Sequence, residues 1–258
     1  MHVVVTGASS GIGTALAREF GTSEGDRVTL VARRQAAMEE VARGIPAKCH
    51  IVAHDLSDDT RATAWIESAE RENGPIDVLI NNAGVENTGW TLEADPAASV
   101  ALLRTNLVSP LLIARAIVPA MIARGTGTLV NVASVAAYSA VPLQAWYGAS
   151  KAGLATFSEV LRSEVRRRGV NVVTVYPGPI TTPMAEAAYV VFGGRRGLVG
   201  LAPEGTPEKL ARLVRRAVER RRARVVYPSF YQIPRFVPWL ARWATDLVEP
   251  RPRPRLER

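Results

Sequence analysis

The sequence predicts an α/β protein with a doubly wound parallel sheet of about seven strands and helices on both faces. Short segments rich in β-branched residues recur along the chain, and stretches with helical periodicity separate them. Most of these segments lack polar alternation, which is typical of strands that helices cover on both sides. The predicted strands comprise residues 2–6, 27–32, 49–55, 76–81, 127–133, 170–176 and 224–228.

Helices are predicted over residues 14–20, 61–72, 102–123 and 146–168. Within the third, the apolar stretch 107–123 contains Pro110, Arg115 and Pro119, which favours a buried helix over a membrane span. Helical connections between parallel strands are right-handed almost without exception. In such sheets ligands bind where the strands end, at the carboxyl edge of the sheet, and we expect the functional residues there.

Composition and charge narrow the class of protein. The chain has 258 residues, of which 47% are hydrophobic and 22% charged, and we interpret residues 1–228 as one domain followed by an aromatic and basic extension, 229–258. The net charge of +8 lies entirely in the last fifth of the chain, which favours a solvated basic face over a nucleic-acid partner. The single Cys49 excludes an intrachain disulfide, and His2, His50 and His54 lack metal-ligand spacing, so no metal site is expected. Valines from Val3 onward leave no room for a signal peptide, and a cytoplasmic location is expected.

A glycine-rich segment, Thr6 to Gly13, follows the first predicted strand and leads into a helix. Its glycines, Gly7, Gly11 and Gly13, would let backbone N–H groups and the helix N-terminus approach a pyrophosphate closely. The spacing differs from the usual dinucleotide fingerprint, so this segment alone is equally consistent with a tight turn that binds nothing.

A tyrosine and a lysine lie four residues apart, Tyr147 and Lys151, on one face of a predicted helix. An ammonium group beside a tyrosine favours the phenolate and lowers the tyrosine pKa, which makes the pair suitable for acid/base chemistry on a carbonyl or alcohol. Ser134 follows a strand thirteen residues earlier, at the edge where a substrate oxygen would lie. Asn81 to Gly84 end another strand, Asn106 lies within a helix, and the turn 177–182 follows the strand 170–176.

Together these motifs closely resemble those of the short-chain dehydrogenase/reductase family, over residues 1–228. The resemblance implies a Rossmann-fold catalytic domain whose catalytic residues are Asn106, Ser134, Tyr147 and Lys151. Tyr147 would donate or remove the proton, Lys151 would lower its pKa and hold the nicotinamide ribose, Ser134 would bind the substrate oxygen, and Asn106 would hold a water. The implied cofactor-binding residues are Gly7, Ser9, Ser10, Gly11, Ile12, Gly13, Arg33, Asp55, Leu56, Asn82, Ala83, Gly84, Tyr147, Lys151, Pro177, Gly178, Ile180 and Thr182.

The end of the second strand indicates which cofactor binds. NAD-binding relatives often place an acidic residue here, whereas this chain has Ala32 followed by Arg33. An arginine can pair with a 2′-phosphate, so we predict NADP(H), with NAD(H) as the alternative, and interpret Arg34 as an exposed loop residue. Asp55 is expected near the adenine ring by the same resemblance.

The segments 138–146 and 184–203, which contact substrate in this family, are largely apolar. We therefore predict a lipophilic ketone or aldehyde as substrate, bound by Ser134, Leu143, Tyr147, Tyr189 and Phe192, with Trp146 and Val191 also lining the site. Residues 193–196 are interpreted as a glycine-hinged lid. The alternatives are a 3-oxoacyl-thioester reductase, an extended-type epimerase or dehydratase, and a non-enzymatic NADP-binding regulator.

Assembly and the extension complete the predictions. The helices 102–123 and 146–168 are expected to form a two-fold interface, giving a homodimer or a homotetramer.

In the extension, Trp239, Trp243 and Leu247 recur on one helical face near Arg235 and Arg242. This pattern fits a helix lying on an anionic membrane, but we favour packing of these aromatic residues on the protein body, where they would close the substrate cleft.

Overall fold

The computed structural model describes residues 1–192, 194 and 203–233, and shows the predicted doubly wound sheet. Its seven strands are all parallel, in the order β3-β2-β1-β4-β5-β6-β7. The reversal of strand order between β1 and β4 opens a crevice at the carboxyl edge. The strands are β1 His2–Thr6, β2 Arg27–Ala32, β3 Lys48–Ala53, β4 Val78–Asn81, β5 Gly127–Val132, β6 Val170–Pro177 and β7 Arg224–Tyr227.

Helices cover both faces of the sheet. The helices are α1 Gly11–Phe20, α2 Gln35–Arg43, α3 Ile66–Asn73, α4 Pro96–Leu103, α5 Ser109–Arg124, α6 Ala145–Val165, α7 Pro183–Val191 and α8 Pro207–Glu219. One core cluster joins the strands to Leu16, Met38 and Leu210 of α1, α2 and α8, and a second joins them to Ile113 and Val165 of α5 and α6. Burial on both sides explains why the strands carry so few polar residues.

The predicted helix 61–72 begins later than its periodicity indicates. A 3₁₀ turn, Asp59–Arg61, precedes it because the Asp58 side chain accepts a hydrogen bond from the Thr60 N–H at 3.2 Å and stabilises the tighter turn. Regular α-helix starts only at Ile66 and ends at Asn73, before Gly74, whose φ of +79° suits glycine.

A π-helical turn, Arg104–Val108, joins α4 and α5 into one continuous helix from Pro96 to Arg124. The length and apolar composition of this helix would allow it to cross a membrane, but buried core helices have the same two properties. Ile113, Ile117 and Met121 are buried against the sheet, as the prediction of a buried helix requires.

The last predicted helix, 146–168, corresponds to α6 followed by a 3₁₀ turn, Arg166–Arg168, which ends at Gly169 with φ of +84°. Of the predicted lid 193–196, only Gly194 belongs to the described residues. The predicted aromatic helix around Trp239 and Trp243 lies wholly outside them.

Candidate active site

A cavity of about 1050 Å³ lies at the carboxyl edge of the sheet, where the loops after successive strands meet. It reaches from the glycine-rich turn to α7 and the residues after β7, which is room for a dinucleotide and a second molecule. All predicted cofactor residues line it, and so do four of the five predicted substrate residues: Ser134, Tyr147, Tyr189 and Phe192.

The glycine-rich turn packs so tightly that side chains would not fit. A Cβ at Gly13 would lie 2.1 Å from the Gly7 carbonyl oxygen, and Gly7 itself has φ of +67° against the turn at Ala83. Ser10 precedes α1 without a side-chain hydrogen bond to the helix, and Gly11 and Gly13 of the first helical turn line the cavity. This end of α1 therefore presents backbone N–H groups and a positive dipole to the cavity, as an anionic ligand requires.

Two arginines follow β2, and both line the cavity. Arg34 is exposed as predicted, but it also belongs to the site, because its guanidinium donates hydrogen bonds to the hydroxyls of Ser9 and Ser10, each at 3.1 Å. A long side chain can return to the preceding loop in this way, which spacing along the sequence does not show. Arg33 lies near Asp55, and the pKa of the Asp55 carboxyl is lowered. Burial alone would raise this pKa, but hydrogen bonds from Ser57 and the charge of Arg33 outweigh burial.

The fit of a phosphorylated dinucleotide follows from these contacts. The glycine turn and the α1 N-terminus suit a pyrophosphate, and two guanidinium groups adjoin it without a carboxylate at the end of β2. The residues present therefore fit the cofactor that the sequence predicts.

Tyr147, Lys151 and Ser134 meet at the other end of the cavity. Lys151 is buried in α6, and its Nζ donates a hydrogen bond to the carbonyl oxygen of Val132 at 2.9 Å. The same Nζ lies 5.8 Å from the centre of the Tyr147 ring. Ser134, directly after β5, lies close enough to Tyr147 to affect the pKa of the tyrosine, and its Oγ accepts a hydrogen bond from the Ala136 N–H at 3.1 Å.

The pKa of Tyr147 shifts in the direction opposite to the one expected from Lys151 alone. Burial raises the pKa of Tyr147, the charge of Glu86 raises it further, and the side chain of Ser134 opposes the rise. Burial also lowers the pKa of Lys151 to about 8, against the opposing charge of Glu86. Both side chains are poorly hydrated, and desolvation disfavours the charged form of each.

Asn106 does not line the cavity but lies directly behind it, fully buried in the π-helical turn. Its Oδ1 accepts a hydrogen bond from the Val85 N–H at 2.8 Å, and its Nδ2 donates to the Val85 carbonyl oxygen at 2.8 Å and to Ser150 at 3.1 Å. A Cβ at Gly84 would lie 3.3 Å from both Asn106 Oδ1 and Lys151 Nζ. Asn106 therefore positions the loop that follows β4.

Leu143 does not line the cavity, although its neighbours Pro142 and Gln144 do, so its predicted contact with substrate stays a prediction. Leu143 has φ of +65°, and its carbonyl oxygen accepts a hydrogen bond from the Gly89 N–H at 2.8 Å. This left-handed backbone changes the direction of the loop at the position that was expected to face the substrate. Trp146 and Val191, also expected in the lining, are absent from it.

Sequence reasoning missed several lining residues: Arg34, Glu86, Gln144, Phe230, Tyr231 and Ile233. The last three begin the C-terminal extension. The Tyr138 hydroxyl donates to the Tyr231 carbonyl oxygen at 2.8 Å, and a Cβ at Gly178 would lie 2.6 Å from the Tyr231 ring. The described start of the extension thus packs on the catalytic body. Glu86 could have been suspected, because it stands two residues after the turn that ends β4.

Comparison with known proteins agrees with this geometry. A family model described as short chain dehydrogenase matches residues 1–189. Ketoacyl reductase HetN of Nostoc sp. is 31% identical over 227 residues, which cover 87% of this chain and 77% of that protein. A crystal structure of an actinorhodin polyketide ketoreductase variant with NADPH has a TM-score of 0.77 and 28% identity, covering 88% of this chain and 95% of that one. A short-chain dehydrogenase from Sphingobium yanoikuyae in complex with NADPH also has a TM-score of 0.77, with 26% identity over 96% of this chain and 95% of that one.

Proposed function

Because the chain belongs to the short-chain dehydrogenase family, we propose that it is an NADP(H)-dependent oxidoreductase that interconverts a lipophilic ketone or aldehyde and its alcohol. The observation that carries the proposal is a single cavity with two chemically distinct ends. One end holds the glycine-rich turn and two arginines, and the other holds Ser134, Tyr147 and Lys151.

Each side chain at the reacting end has a role in this proposal. Tyr147 donates a proton to the carbonyl oxygen during reduction and removes it during oxidation. Ser134 binds the same oxygen as negative charge develops on it. Lys151 holds the cofactor ribose and provides a positive charge beside Tyr147. When bound, the nicotinamide supplies or accepts the hydride.

The preference for NADP(H) is supported by Arg33 and Arg34, which both line the cofactor end of the cavity. A guanidinium group can pair bidentately with a 2′-phosphate, and the carboxylate that would repel it is missing at Ala32. Two similar structures are complexes with NADPH. This chain is proposed to bind the same cofactor.

The lipophilic substrate class is supported by Val141, Pro142, Tyr189, Phe192 and Phe230, which line the substrate end. A second candidate is a 3-oxoacyl-thioester reductase, which the names of two similar proteins favour. The two candidates share the cofactor and the catalytic residues. They differ because a thioester substrate brings a polar carrier group, which the mouth of the cavity would have to accept.

Oxidation of NADPH by the purified full chain tests both candidates. We expect turnover of bulky aryl or alkyl ketones and aldehydes, with kcat/KM at least about tenfold above that for a short-chain 3-oxoacyl thioester. The reverse order would favour the thioester candidate. Absence of turnover for every carbonyl, despite NADPH binding, would contradict the enzymatic proposal and favour a cofactor-binding regulator. Tyr147→Phe is the matched control for contaminating reductases.

We also propose a two-fold homodimer through the outer faces of α4, α5 and α6, where Val100 and Val160 are 43% and 52% exposed. Light scattering at micromolar concentration tests it, with Val160→Glu expected to shift the particle toward a monomer. A homotetramer and a cytoplasmic location are further proposals. Membrane contact through the extension 229–258 is the alternative to its packing on the protein body, and sedimentation with anionic vesicles tests it.

A further inference from the structure

A carboxylate lies among the apolar residues at the substrate end of the cavity. Glu86 lines the cavity, and its Oε1 accepts hydrogen bonds from the Thr88 hydroxyl at 2.7 Å and from the Gln144 amide. Within the described part of the chain, no hydrogen bond reaches the other oxygen, Oε2. One carboxylate oxygen is therefore satisfied by the protein, and the other is available to a ligand.

The position of Glu86 is held from both sides. Asn106 binds the N–H and C=O of the preceding residue, Val85, each at 2.8 Å. Beyond Glu86, the Gly89 N–H donates to the Leu143 carbonyl oxygen at 2.8 Å and joins this loop to the segment before α6. A carboxylate fixed in this way loses little conformational entropy when it binds a substrate group.

Glu86 also acts on the reacting end electrostatically. Glu86 stands two residues after Gly84, where an added Cβ would lie 3.3 Å from Lys151 Nζ, and its charge raises the pKa of both Tyr147 and Lys151. Burial raises the pKa of Glu86 itself, whereas hydrogen bonds from Thr88 and Gln144 and the charge of Lys151 oppose that rise.

Holding the loop occupies Oε1 and leaves Oε2 without a hydrogen-bond partner among the described residues. Here Oε1 alone holds Thr88 and Gln144, and Glu86 lines a cavity beside Val141 and Pro142. Displacement of water from Oε2 by an apolar ligand would leave a charged acceptor unpaired, which is costly. A ligand that brings its own hydrogen-bond donor avoids this cost.

We propose that Glu86 Oε2 accepts a hydrogen bond from a substrate hydroxyl next to the reacting carbonyl, so that the enzyme prefers lipophilic hydroxy ketones. The inference rests on the proposed function and names the substrate class of the same site. A hydroxyl fits better than an ammonium group, because the charge of Lys151 lies close by and would repel a second cation. In the oxidative direction the corresponding substrate is a diol.

Three ketones of similar size test the proposal: α-hydroxyacetophenone, α-methoxyacetophenone and acetophenone. Only the first carries a donor, and the second keeps the oxygen as an acceptor alone. For the unchanged protein we expect kcat/KM with the hydroxy ketone at least about tenfold above the other two, as for a hydrogen bond to a charged group.

Glu86→Gln tests the residue itself. Thr88 and Gln144 would keep the amide oxygen at the Oε1 position, so the amide NH₂ would replace the free acceptor with a donor. The preference for the hydroxy ketone over acetophenone is expected to fall to within about threefold, and the methoxy ketone should gain relative to both. Glu93→Gln, at an exposed position outside the cavity lining, is the matched control and should keep the preference of the unchanged protein.

Binding of the three ketones to the NADP⁺-loaded protein, measured by calorimetry, separates this inference from the proposed function. Equal affinities for all three ketones would overturn the role of Glu86 even if all three are reduced. Stronger binding of the hydroxy ketone, lost in Glu86→Gln, would support that role even if no turnover occurs and the proposed reaction fails. A uniform loss of activity with an unchanged preference in Glu86→Gln would reduce Glu86 to a structural residue.

Discussion

The side-chain amide of Asn106 holds the peptide groups of Val85 from both ends, accepting from its N–H and donating to its C=O at 2.8 Å each. This pairing resembles the pairing of two backbone strands, although the amide comes from a π-helical turn and not from the sheet. π-helical turns within α-helices are frequent at functional sites. Asn106 thereby links the central helix to the loop that carries Glu86.

Asn106→Ala is expected to lower the free energy of unfolding by about 2 kcal/mol, because it leaves both polar groups of Val85 without their partner. NADPH oxidation should fall as well, since the loop between Gly84 and Glu86 loses its support. Chemical denaturation and steady-state kinetics measure the two effects. Arg104→Ala, which removes an exposed ion pair with Asp59 from the same turn, should change stability by less than about 1 kcal/mol. Equal effects of both substitutions would contradict the special role of Asn106.

Tyr147→Phe removes the transferable proton and leaves the ring in place. We expect kcat to fall about 100-fold or more, as for loss of a general acid, with NADPH affinity changed little. Single-turnover kinetics and a fluorescence titration of NADPH measure the two quantities. Tyr176→Phe, outside the cavity lining, should retain activity. Turnover by the Tyr147→Phe variant at the original rate would remove Tyr147 from the mechanism.

Arg33→Ala and Arg34→Ala test the cofactor preference separately. Each is expected to weaken NADPH binding about tenfold or more and to leave NADH binding nearly unchanged, because only NADPH carries the 2′-phosphate. Arg34→Ala should also loosen the glycine-rich turn, since Ser9 and Ser10 lose their shared donor. Arg43→Ala, on an exposed part of α2, controls for the general loss of positive charge. Equal use of NAD and NADP by the unchanged protein would disprove the assignment.

The lowered pKa of Lys151 predicts that the stability of the protein depends on pH. Burial lowers the pKa of Lys151 to about 8, whereas a lysine in the unfolded chain titrates near about 10.4. Between these values the unfolded state binds more protons, so stability rises with pH; below about pH 8 both states are protonated and the full cost of burial is present.

The matched measurement compares the unchanged protein with Lys151→Met by chemical denaturation. The difference in free energy of unfolding should shift in favour of the unchanged protein by up to about 3 kcal/mol as the pH rises from about 8 to about 10.4. Lys209→Met controls for the loss of an exposed lysine. A constant difference across this range would contradict the lowered pKa of Lys151.

Much of this architecture was predictable because parallel strands end at one edge of the sheet. Ser134 and Gly84 could be placed together from strand endings alone, and β1 and β2 have their predicted boundaries. β3 ends at Ala53 rather than at residue 55, which leaves Asp55 in the loop where it faces Arg33. Such differences at strand ends depend on side-chain contacts of the loops and not on local periodicity.

The missed features depend on contacts between distant parts of the chain. The left-handed backbone of Leu143 is accompanied by two hydrogen bonds with residues more than fifty positions earlier: the Leu143 carbonyl oxygen accepts from the Gly89 N–H, and Gln144 donates to Glu86. The pKa of Tyr147 was predicted from its neighbour on the helix, but burial has the largest effect on it. Burial is a property of the folded molecule, and no spacing of residues encodes it directly.

Tyr231 lies so close to Gly178 that even a methyl group at position 178 would collide with its ring. The ribosome adds Phe230, Tyr231 and Ile233 after every proposed catalytic residue, although these three contribute to the lining of the substrate cavity. A nascent chain that ends before residue 230 already carries the glycine-rich turn, Tyr147 and Lys151. Synthesis of the cofactor-binding residues therefore precedes synthesis of the residues that enclose the substrate.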